Sequence, residues 1–175
     1  MKRLSSLLAL GLLLAVGACA SPARVGNMVA QPTAATFATP GSPLSKTLDV
    51  ADVRGGRETN PMLASQVGTA ELREALVSSL RSHGLLSDAP GGARYLVAAD
   101  LLRLDQPLFG LNMTVTASVN YTVTRVSDRN PIFARTIDAP YTAAVGDAFY
   151  GPDRLKLANE GAILDCLQLV VREQC

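Results

Sequence analysis

The sequence predicts an α+β domain of two layers, in which a four-stranded, mostly antiparallel sheet carries two helices on one face in the order β-α-β-β-β-α. Three patterns support this prediction. Apolar and polar residues alternate without a break over residues 113–124, which is typical of a strand with one buried face. Apolar residues recur at helical spacing over residues 65–83 and again after residue 151, which indicates two amphipathic helices. One face of a sheet can bury the apolar sides of both helices.

The first 18 residues have the composition of an export signal. Lys2 and Arg3 precede an apolar run from Leu4 to Val16, and a positive start followed by a short apolar segment is the secretory pattern. The run is shorter than the roughly 20 apolar residues of a membrane-spanning helix. We therefore expect residues 1–18 to be a signal peptide that is removed.

The order Val16-Gly17-Ala18-Cys19 resembles the bacterial lipobox. This resemblance implies that Cys19 carries a diacylglycerol on its sulfur and becomes the acylated first residue of the mature chain. Two or three fatty chains anchor a protein stably, whereas one chain does not. The alternative is an ordinary signal cut after Ala18, which leaves Cys19 as a thiol. No Asp follows the cysteine to retain the protein at the inner membrane, so we expect the periplasmic face of the outer membrane.

Composition limits the classes of protein that fit the mature chain. Removing 18 of the 175 residues leaves 157, enough for one domain. Two of the 16 basic side chains leave with the signal, so 14 remain against 15 acidic ones. A net charge near −1 gives little attraction to nucleic acid. With one His, no Trp and few aromatic residues, we expect neither a metal nor a cofactor.

Residues 19–45 predict a lipidated, flexible tether. The stretch is small and polar, keeps no periodicity for long, and is interrupted by four prolines: Pro22, Pro32, Pro40 and Pro43. Segments of this kind behave as coils that span a distance without packing. A single α+β domain is then expected over residues 46–175.

The first half of this domain predicts a strand, a helix and a second strand. Lys46–Val53 alternates apolar and acidic residues, and Ser65–His83 has the helical pattern, with Gly84 fitting its C-terminal cap. Tyr95–Leu104 follows as a strand. Its even-numbered residues are the more apolar and are expected to face the core: Leu96, Ala98, Leu102 and Leu104.

The second half predicts a hairpin and a closing helix. Met113–Arg125 and Ile132–Tyr141 are the two strands, and the apolar positions of the second are Phe133, Ile137, Ala139 and Tyr141. The first strand has a hydroxyl-rich face made of Thr114, Thr116, Ser118, Asn120, Thr122 and Thr124. Pro152 fits the first turn of a helix that continues to about Val171.

Cys166 and Cys175 remain when Cys19 is assigned to the lipid. An oxidising periplasm favours a disulfide between them. Nine residues of continuous helix would separate their Cα atoms by about 13 Å, whereas a disulfide needs roughly 4.4–6.8 Å. The bridge therefore requires the last helix to end before Cys175. Two separate thiols, with Cys166 packed as a small apolar residue, are the alternative.

No residue pattern singles out a catalytic centre. His83, the one histidine, falls in the last turn of a predicted helix, where the negative end of the helix dipole accounts for it. The sequence contains no phosphate-binding glycine loop, zinc spacing or nucleophile elbow. Five acidic residues could serve acid–base chemistry, but no spacing pairs two of them: Asp100, Asp138, Asp147, Glu160 and Asp165. We expect the protein not to be an enzyme.

Residues from about Gly55 to Ile163 resemble an uncharacterised family of small proteobacterial lipoproteins. The resemblance is carried by Thr59-Asn60-Pro61, Asp105-Gln106-Pro107, Tyr141-Thr142-Ala143, Asp147-Ala148-Phe149 and Leu157-Ala158-Asn159-Glu160-Gly161. These segments mark no known active site. Members are sometimes labelled sugar-nucleotide acyltransferases, but the hexapeptide repeat of such β-helices is absent from this sequence. In element order the chain is also similar to the lipoprotein subunit of the lipopolysaccharide export pore and to YajG-type lipoproteins.

These similarities imply a membrane-anchored, periplasm-facing lipoprotein that binds or assembles a cell-envelope complex without catalysis. Its expected partners are the membrane, through the lipid, and an envelope protein that docks on the hydroxyl-rich strand face or on an exposed strand edge. Two other functions stay open. One is a carrier that holds a small apolar ligand or lipid between helices and sheet, and the other is a periplasmic hydrolase or acyltransferase.

Overall fold

A computed structural model describes residues 20–38 and 41–174 of the chain. Its elements are α1 (Val25–Met28), β1 (Leu48–Arg54), α2 (Thr69–Ser82), β2 (Tyr95–Asp105), β3 (Met113–Arg125), β4 (Pro131–Ala143) and α3 (Gly151–Gln174). The predicted α+β class and the order β-α-β-β-β-α are confirmed, with the short α1 added in front. The signal peptide over residues 1–18, Cys19 and Cys175 lie outside the described residues.

The four strands form one open sheet in the order β1-β2-β3-β4. The first pair is parallel because α2 carries the chain back across the sheet between β1 and β2. The other two pairs are antiparallel. Helix α2 packs against β1, α3 packs against β3 and β4, and the two helices contact each other. Both therefore cover the same side of the sheet, and its other side, which we call the open face, carries none of the helices among the described residues.

The predicted alternation in β3 is confirmed. Its apolar side chains Val115, Ala117, Val119, Tyr121 and Val123 are fully buried. Opposite them, α3 contributes its own fully buried residues to the same core, namely Ala158, Ala162, Ile163, Cys166 and Leu167. Small residues on α3 let the helix approach the sheet closely, and at Gly161 an added Cβ would overlap the ring of Tyr141.

The prediction for β2 has the wrong face up to Leu102, whereas Leu104 packs against the core as predicted. Val97, Ala99 and Leu101 are buried, whereas Leu102 is 52% exposed. Up to Leu102, apolar residues stand at odd and even positions alike, so alternation does not single out one face. Beyond it, a bulge between Leu101 and Arg103 in the pairing with β3 turns Leu104 back toward the core. One extra residue reverses the side to which all later residues of the strand point. Strict alternation between the two faces therefore does not hold across the bulge.

Gly84 ends α2 as the sequence predicts. Its φ of +71° lies in the left-handed region that favours glycine. The N–H of Leu85 donates to the carbonyl of Leu80 at 2.9 Å, and the N–H of Gly84 donates to that of Arg81 at 3.0 Å. This pair of bonds is the Schellman arrangement, which satisfies the last carbonyls of a helix.

Both edges of the sheet carry features that limit pairing with a further strand. At one edge, the guanidinium of Arg73 donates to the carbonyls of Val50 and Ala51, each at 2.9 Å, beside a bulge in β1. At the other, β4 contains Pro131 and Pro140, which have no N–H to donate. An added strand would find an incomplete ladder at either edge.

The structure corrects the tether prediction for residues 20–38. This segment lies on the helical layer, where α1 packs against both α2 and α3. Met28 and Ala30 are fully buried. The N–H of Ala30 donates to Ser79 Oγ at 2.9 Å, and its carbonyl accepts from Ser82 Oγ at 3.1 Å. Because burial of a side chain such as Met28 contributes about 1.5–3 kcal/mol, this segment belongs to the folded domain.

Helix α3 continues without a break to Gln174. The fold-back that a Cys166–Cys175 bridge requires therefore does not occur within the described residues. Cys166 itself is buried, and its Sγ lies 3.6 Å from the carbonyl oxygen of Ala117. It packs as a small apolar residue would, while the pairing with Cys175 stays a prediction.

Candidate functional site

Three loops meet where β2 ends, β3 begins and α3 begins. We call residues 57–68, 106–112 and 144–154 together the loop end. A cavity of about 330 Å³ lies between these loops, and it is lined by Leu63, Ala64, Ser65, Pro107, Leu108, Phe109, Gly110, Met113, Gly151, Pro152, Arg154 and Leu155. Four of the five segments that carry the family resemblance lie in these loops or bond to them. Residues distant in sequence are thus assembled into one surface.

A group of side-chain amides ties two of these loops to α3. Gln106 Nε2 donates to the carbonyl of Ser65 at 2.8 Å and to Asn159 Oδ1 at 2.7 Å. Asn159 Nδ2 donates to the same carbonyl at 3.0 Å. Gln66 Nε2 completes the group by donating to Gln106 Oε1 at 2.8 Å. Since buried amides are costly unless they are bonded, this network fixes the backbone of both loops.

Arg154 holds the third loop in place. Its side chain is buried, and Nη1 donates to the carbonyls of Ala148 and Phe149 at 2.8 and 2.6 Å. Nη2 lies 3.5 Å from the carbonyl of Gly110. One guanidinium therefore links the loop before α3 to the loop after β2.

Glu160 binds the N-terminal segment to the helical layer. The carboxylate is 1% exposed and accepts from the backbone N–H of Arg24 at 2.8 Å, from its Nε and Nη2 at 3.0 Å each, and from Asn27 Nδ2 at 2.6 Å. The hydrogen bond to Glu160, followed by its charge, raises the pKa of Arg24. Charge-assisted bonds of this kind are the stronger ones, so Glu160 acts as a clamp.

The clamp brings the start of the described chain to the loop end. The N–H of Ala20 donates to the carbonyl of Pro61 at 2.9 Å, and Lys156 Nζ donates to Ser21 Oγ at 2.9 Å. Pro61 belongs to the segment Thr59-Asn60-Pro61 that carries the family resemblance. The position of Cys19 in sequence is one residue before this contact.

The open face is polar, as the sequence predicts for β3. Its row of hydroxyl and amide side chains runs the length of β3, with Ser118 at the centre. Ser118 Oγ donates to the carboxylate of Asp138 and accepts from Arg103 Nη2 at 3.2 Å. Arg103 also lies 3.9 Å from Asp138. This centre offers both charges to a partner.

The acidic candidates for acid–base chemistry have other partners. Glu160 lies in the clamp, Asp138 lies beside Ser118, and Asp147 Oδ2 accepts from the N–H of Ala144 at 2.8 Å. Asp100 is placed on the open face by its pairing with Asn120. Partial burial raises the pKa of Asp165. The structure thus assigns structural contacts to three of the five.

His83 and Cys166 are both buried in the core. His83 closes α2, and its Nδ1 donates to the carbonyl of Ser79 at 2.7 Å, as expected for a structural residue. Burial, followed by the charges of Asp165 and Asp138, raises the pKa of Cys166 to about 12. Because the thiolate is the reactive form, Cys166 is poorly suited to nucleophilic chemistry.

Within residues 20–38 and 41–174, no group of three or more His, Cys, Asp or Glu side chains could hold a metal ion. In the same part of the chain, no helix is long and apolar enough to cross a membrane.

The sequence matches no family model and no curated protein. Among solved structures, the chain is similar to protein XCC0632 from Xanthomonas campestris, of family DUF330, at a TM-score of 0.58 and 16% identity over 83% of this chain and 93% of that one. A candidate lipoprotein from Caulobacter crescentus has a TM-score of 0.47 at 16% identity, covering 75% and 90%. A minor lipoprotein from Acinetobacter baumannii has a TM-score of 0.46 at 17% identity, covering 74% and 90%.

At 16% identity and a TM-score of 0.58, the likeness to XCC0632 establishes a shared fold alone.

Sequence reasoning missed the clamp and the amide network. Glu160 was singled out only as one of five acidic candidates, and Asn159 and Gln106 only as parts of the family segments. Their partners Arg24 and Ser65 lie far away in sequence. One signal was available in the predicted helix α3. Asn159 and Glu160 stand next to the apolar Ala158 and Ala162, and a polar pair so close to a buried stripe needs bonded partners.

Proposed function

We propose that this chain is a lipoprotein anchored through Cys19 at the periplasmic face of the outer membrane, where it serves as a non-catalytic binding or assembly factor for a cell-envelope complex. The observation that carries the proposal is the open face. A two-layer fold needs helices on only one side of its sheet, and here the other side presents ordered polar side chains along all of β3.

The centre of the open face supports binding of a protein partner. Arg103, Ser118 and Asp138 are held by one another, so little side-chain freedom is lost when a partner docks. Interfaces of this kind are about as polar as the rest of a protein surface. The alternative of strand addition is less favoured, since Arg73 and the prolines of β4 obstruct both edges.

The structure favours this function over that of a ligand carrier. A carrier would hold its ligand between helices and sheet, and at the centre of that layer Tyr121, Leu76 and Ile163 are fully buried in one core. Interiors filled in this way have the density of organic crystals. The cavity of the loop end lies at the margin of this core.

The anchor is tested by labelling cells with a radioactive fatty acid and separating inner from outer membranes. We expect label on the wild-type protein in the outer-membrane fraction and none on Cys19→Ala. Label on both proteins, or wild-type protein free in the periplasm, would contradict the proposed anchor.

The binding surface is tested with a photo-crosslinking amino acid placed at Thr122 or Thr136 on the open face, in intact cells. Glu74, exposed on α2, is the matched control position. We expect a reproducible protein adduct from both open-face positions and none from the control. Adducts of equal yield at all three positions would show that the open face is not a specific surface.

A further inference from the structure

Six large apolar side chains stand in solvent at the loop end. Each is between 79% and 95% exposed: Met62, Leu63, Leu108, Phe109, Leu111 and Phe149. Single exposed apolar residues are normal on a protein surface. A group of such residues on adjoining loops is unusual, and such patches mark sites of contact with a partner or a membrane.

The exposure of these side chains is built into the fold. The loops that carry them are held from beneath by the amide network around Gln106 and by the guanidinium of Arg154. Leu63, Leu108 and Phe109 line the same cavity as Arg154. The polar groups that hold the loops therefore lie beneath them, and the six apolar side chains point outward.

The chain enters the domain at this same surface. Ala20 is bonded to Pro61, the residue before Met62, and the Glu160 clamp holds residues 24–27 nearby. Consecutive Cα atoms are about 3.8 Å apart, so a lipid on residue 19 is attached one residue from this contact. A domain fastened there has little length of chain with which to turn the loop end away from the bilayer.

We propose that the loop end rests on the phospholipid bilayer, with its six exposed apolar side chains in the interfacial region beside the Cys19 lipid. This inference depends on the anchor in the proposed function, and it adds an orientation. Apolar and aromatic side chains prefer the boundary between headgroups and acyl chains. The opposite end of the sheet then points away from the membrane, and the open face stands at the side of the domain.

The test measures how deeply selected positions lie in the bilayer. The full lipidated chain, carrying Cys175→Ser, is reconstituted in phosphatidylethanolamine–phosphatidylglycerol vesicles after a fluorophore sensitive to polarity is attached at Leu108→Cys or Phe149→Cys. Ile132→Cys is the matched control, because Ile132 is also an exposed apolar residue but lies at the far end of the sheet. Nitroxide-bearing lipids quench fluorophores that enter the bilayer.

We expect blue-shifted emission and several-fold stronger quenching at positions 108 and 149 than at position 132. Equal, weak quenching at all three positions on a protein whose intact mass shows the lipid would overturn this orientation and leave the anchor standing. An intact mass with unmodified Cys19 would overturn both proposals. Fluorophores at 108 and 149 that are shielded in isolated cell membranes but not on vesicles would show that a protein covers the loop end, which also overturns the inference.

Discussion

The two ends of the sheet distribute polar and apolar groups in opposite ways. At the loop end, Glu160, Asn159 and Arg154 are buried and bonded, while large apolar side chains are exposed. At the opposite end, around Lys46, residues 87–94 and the turn 126–130, charged side chains pair in water, as Lys46 does with Asp88 at 2.6 Å. The opposite end has an ordinary solvated surface, and the loop end does not.

This difference teaches where the order of the loops comes from. The side chains of the turn 126–130 bond near neighbours in sequence, as Arg125 does with Asp128 at 2.9 Å, and one backbone bond, from the N–H of Val126 to the carbonyl of Arg94 at 2.9 Å, joins the turn to the start of β2. The loop end is held by bonds between residues far apart, such as Arg24 and Glu160. Substitutions at the loop end should therefore destabilise the whole domain, and those at the opposite end should have small, local effects.

The largest effect is expected from Glu160→Ala. Removing the buried carboxylate leaves Asn27 and the Arg24 side chain, which is 57% exposed, without their acceptor. Because water can replace part of the bonding to Arg24, the expected cost is about 2–3 kcal/mol in the free energy of unfolding. Urea denaturation measures this loss, and limited proteolysis should show cleavage within residues 20–38. The matched control is Glu173→Ala on the same helix, which removes an exposed pair with Arg135 and should cost less than about 1 kcal/mol. Equal losses of unfolding free energy in Glu160→Ala and Glu173→Ala would contradict the distinction between the two ends.

A smaller effect is expected from Gly161→Ala. The new methyl group would overlap the ring of Tyr141, and such overpacking costs about 1–3 kcal/mol, partly offset by the better helix propensity of alanine. The same substitution at Gly146, which has open space around it, should change stability by less than about 1 kcal/mol. Tyr141→Ala in the same chain should relieve the Gly161→Ala defect. An additive double variant, measured by urea denaturation, would show that the ring is not the cause.

Two buried residues in the core between the two ends, Tyr121 and Cys166, predict that the protein loses stability at high pH. Burial raises the pKa of Tyr121 well above its ordinary 10.0 and that of Cys166 from 9.0 to about 12. A raised folded pKa contributes stability that is complete below the unfolded pKa and is lost as pH rises through the folded one. Unfolding free energy should therefore fall from pH about 9 upward, and more steeply above pH 10.

Tyr121→Phe separates the contribution of Tyr121 from that of Cys166. Within the described residues the Tyr121 hydroxyl has no hydrogen-bond partner, so at neutral pH its loss should change stability by at most about 1 kcal/mol. Above pH 10 the variant should be more stable than the wild type, because only Cys166 is left to ionise on unfolding. Parallel stability curves for the two proteins would contradict this assignment.

The smallest effect is expected at the turn 126–130. The backbone N–H of Asn130, together with Arg125, lowers the pKa of Asp128. A lowered folded pKa contributes stability above the unfolded value that is lost as pH falls through the folded one. Carboxyl titration by NMR should show the lowered pKa, and Asp128→Ala should leave the urea midpoint nearly unchanged at neutral pH. A large loss would mean that this end, too, is held by more than its neighbours in sequence.

The order of the helices and strands could be predicted because most of them are specified by residues close together in sequence. Twelve-residue alternation in β3, helical spacing in α2 and α3, and Gly84 at a cap each follow from neighbours in sequence. The face of β2 could not be predicted, because its apolar residues stand at odd and even positions alike and because the bulge at Leu102 is set by the register with β3. No pattern within one strand shows which of its residues the neighbouring strand will leave unpaired.

The loop end could not be predicted for the same reason on a larger scale. Met28 and Ala30 look like isolated apolar residues in a proline-broken stretch, and they pack only because α2 offers Ser79 and Ser82 at the right distance. The separate family segments likewise gave no indication that they meet. Their meeting depends on the sheet order, which brings the end of β2 beside the start of α3.

The blunted sheet edges have a consequence for copies of this chain at high density. An edge strand with free backbone donors and acceptors can pair with the same strand of another molecule, and repeated pairing of this kind builds fibres. Pro131, Pro140 and the guanidinium of Arg73 interrupt that template on both flanks. Crowded side by side, the molecules can remain separate, and self-polymerisation does not compete with whatever the open face binds.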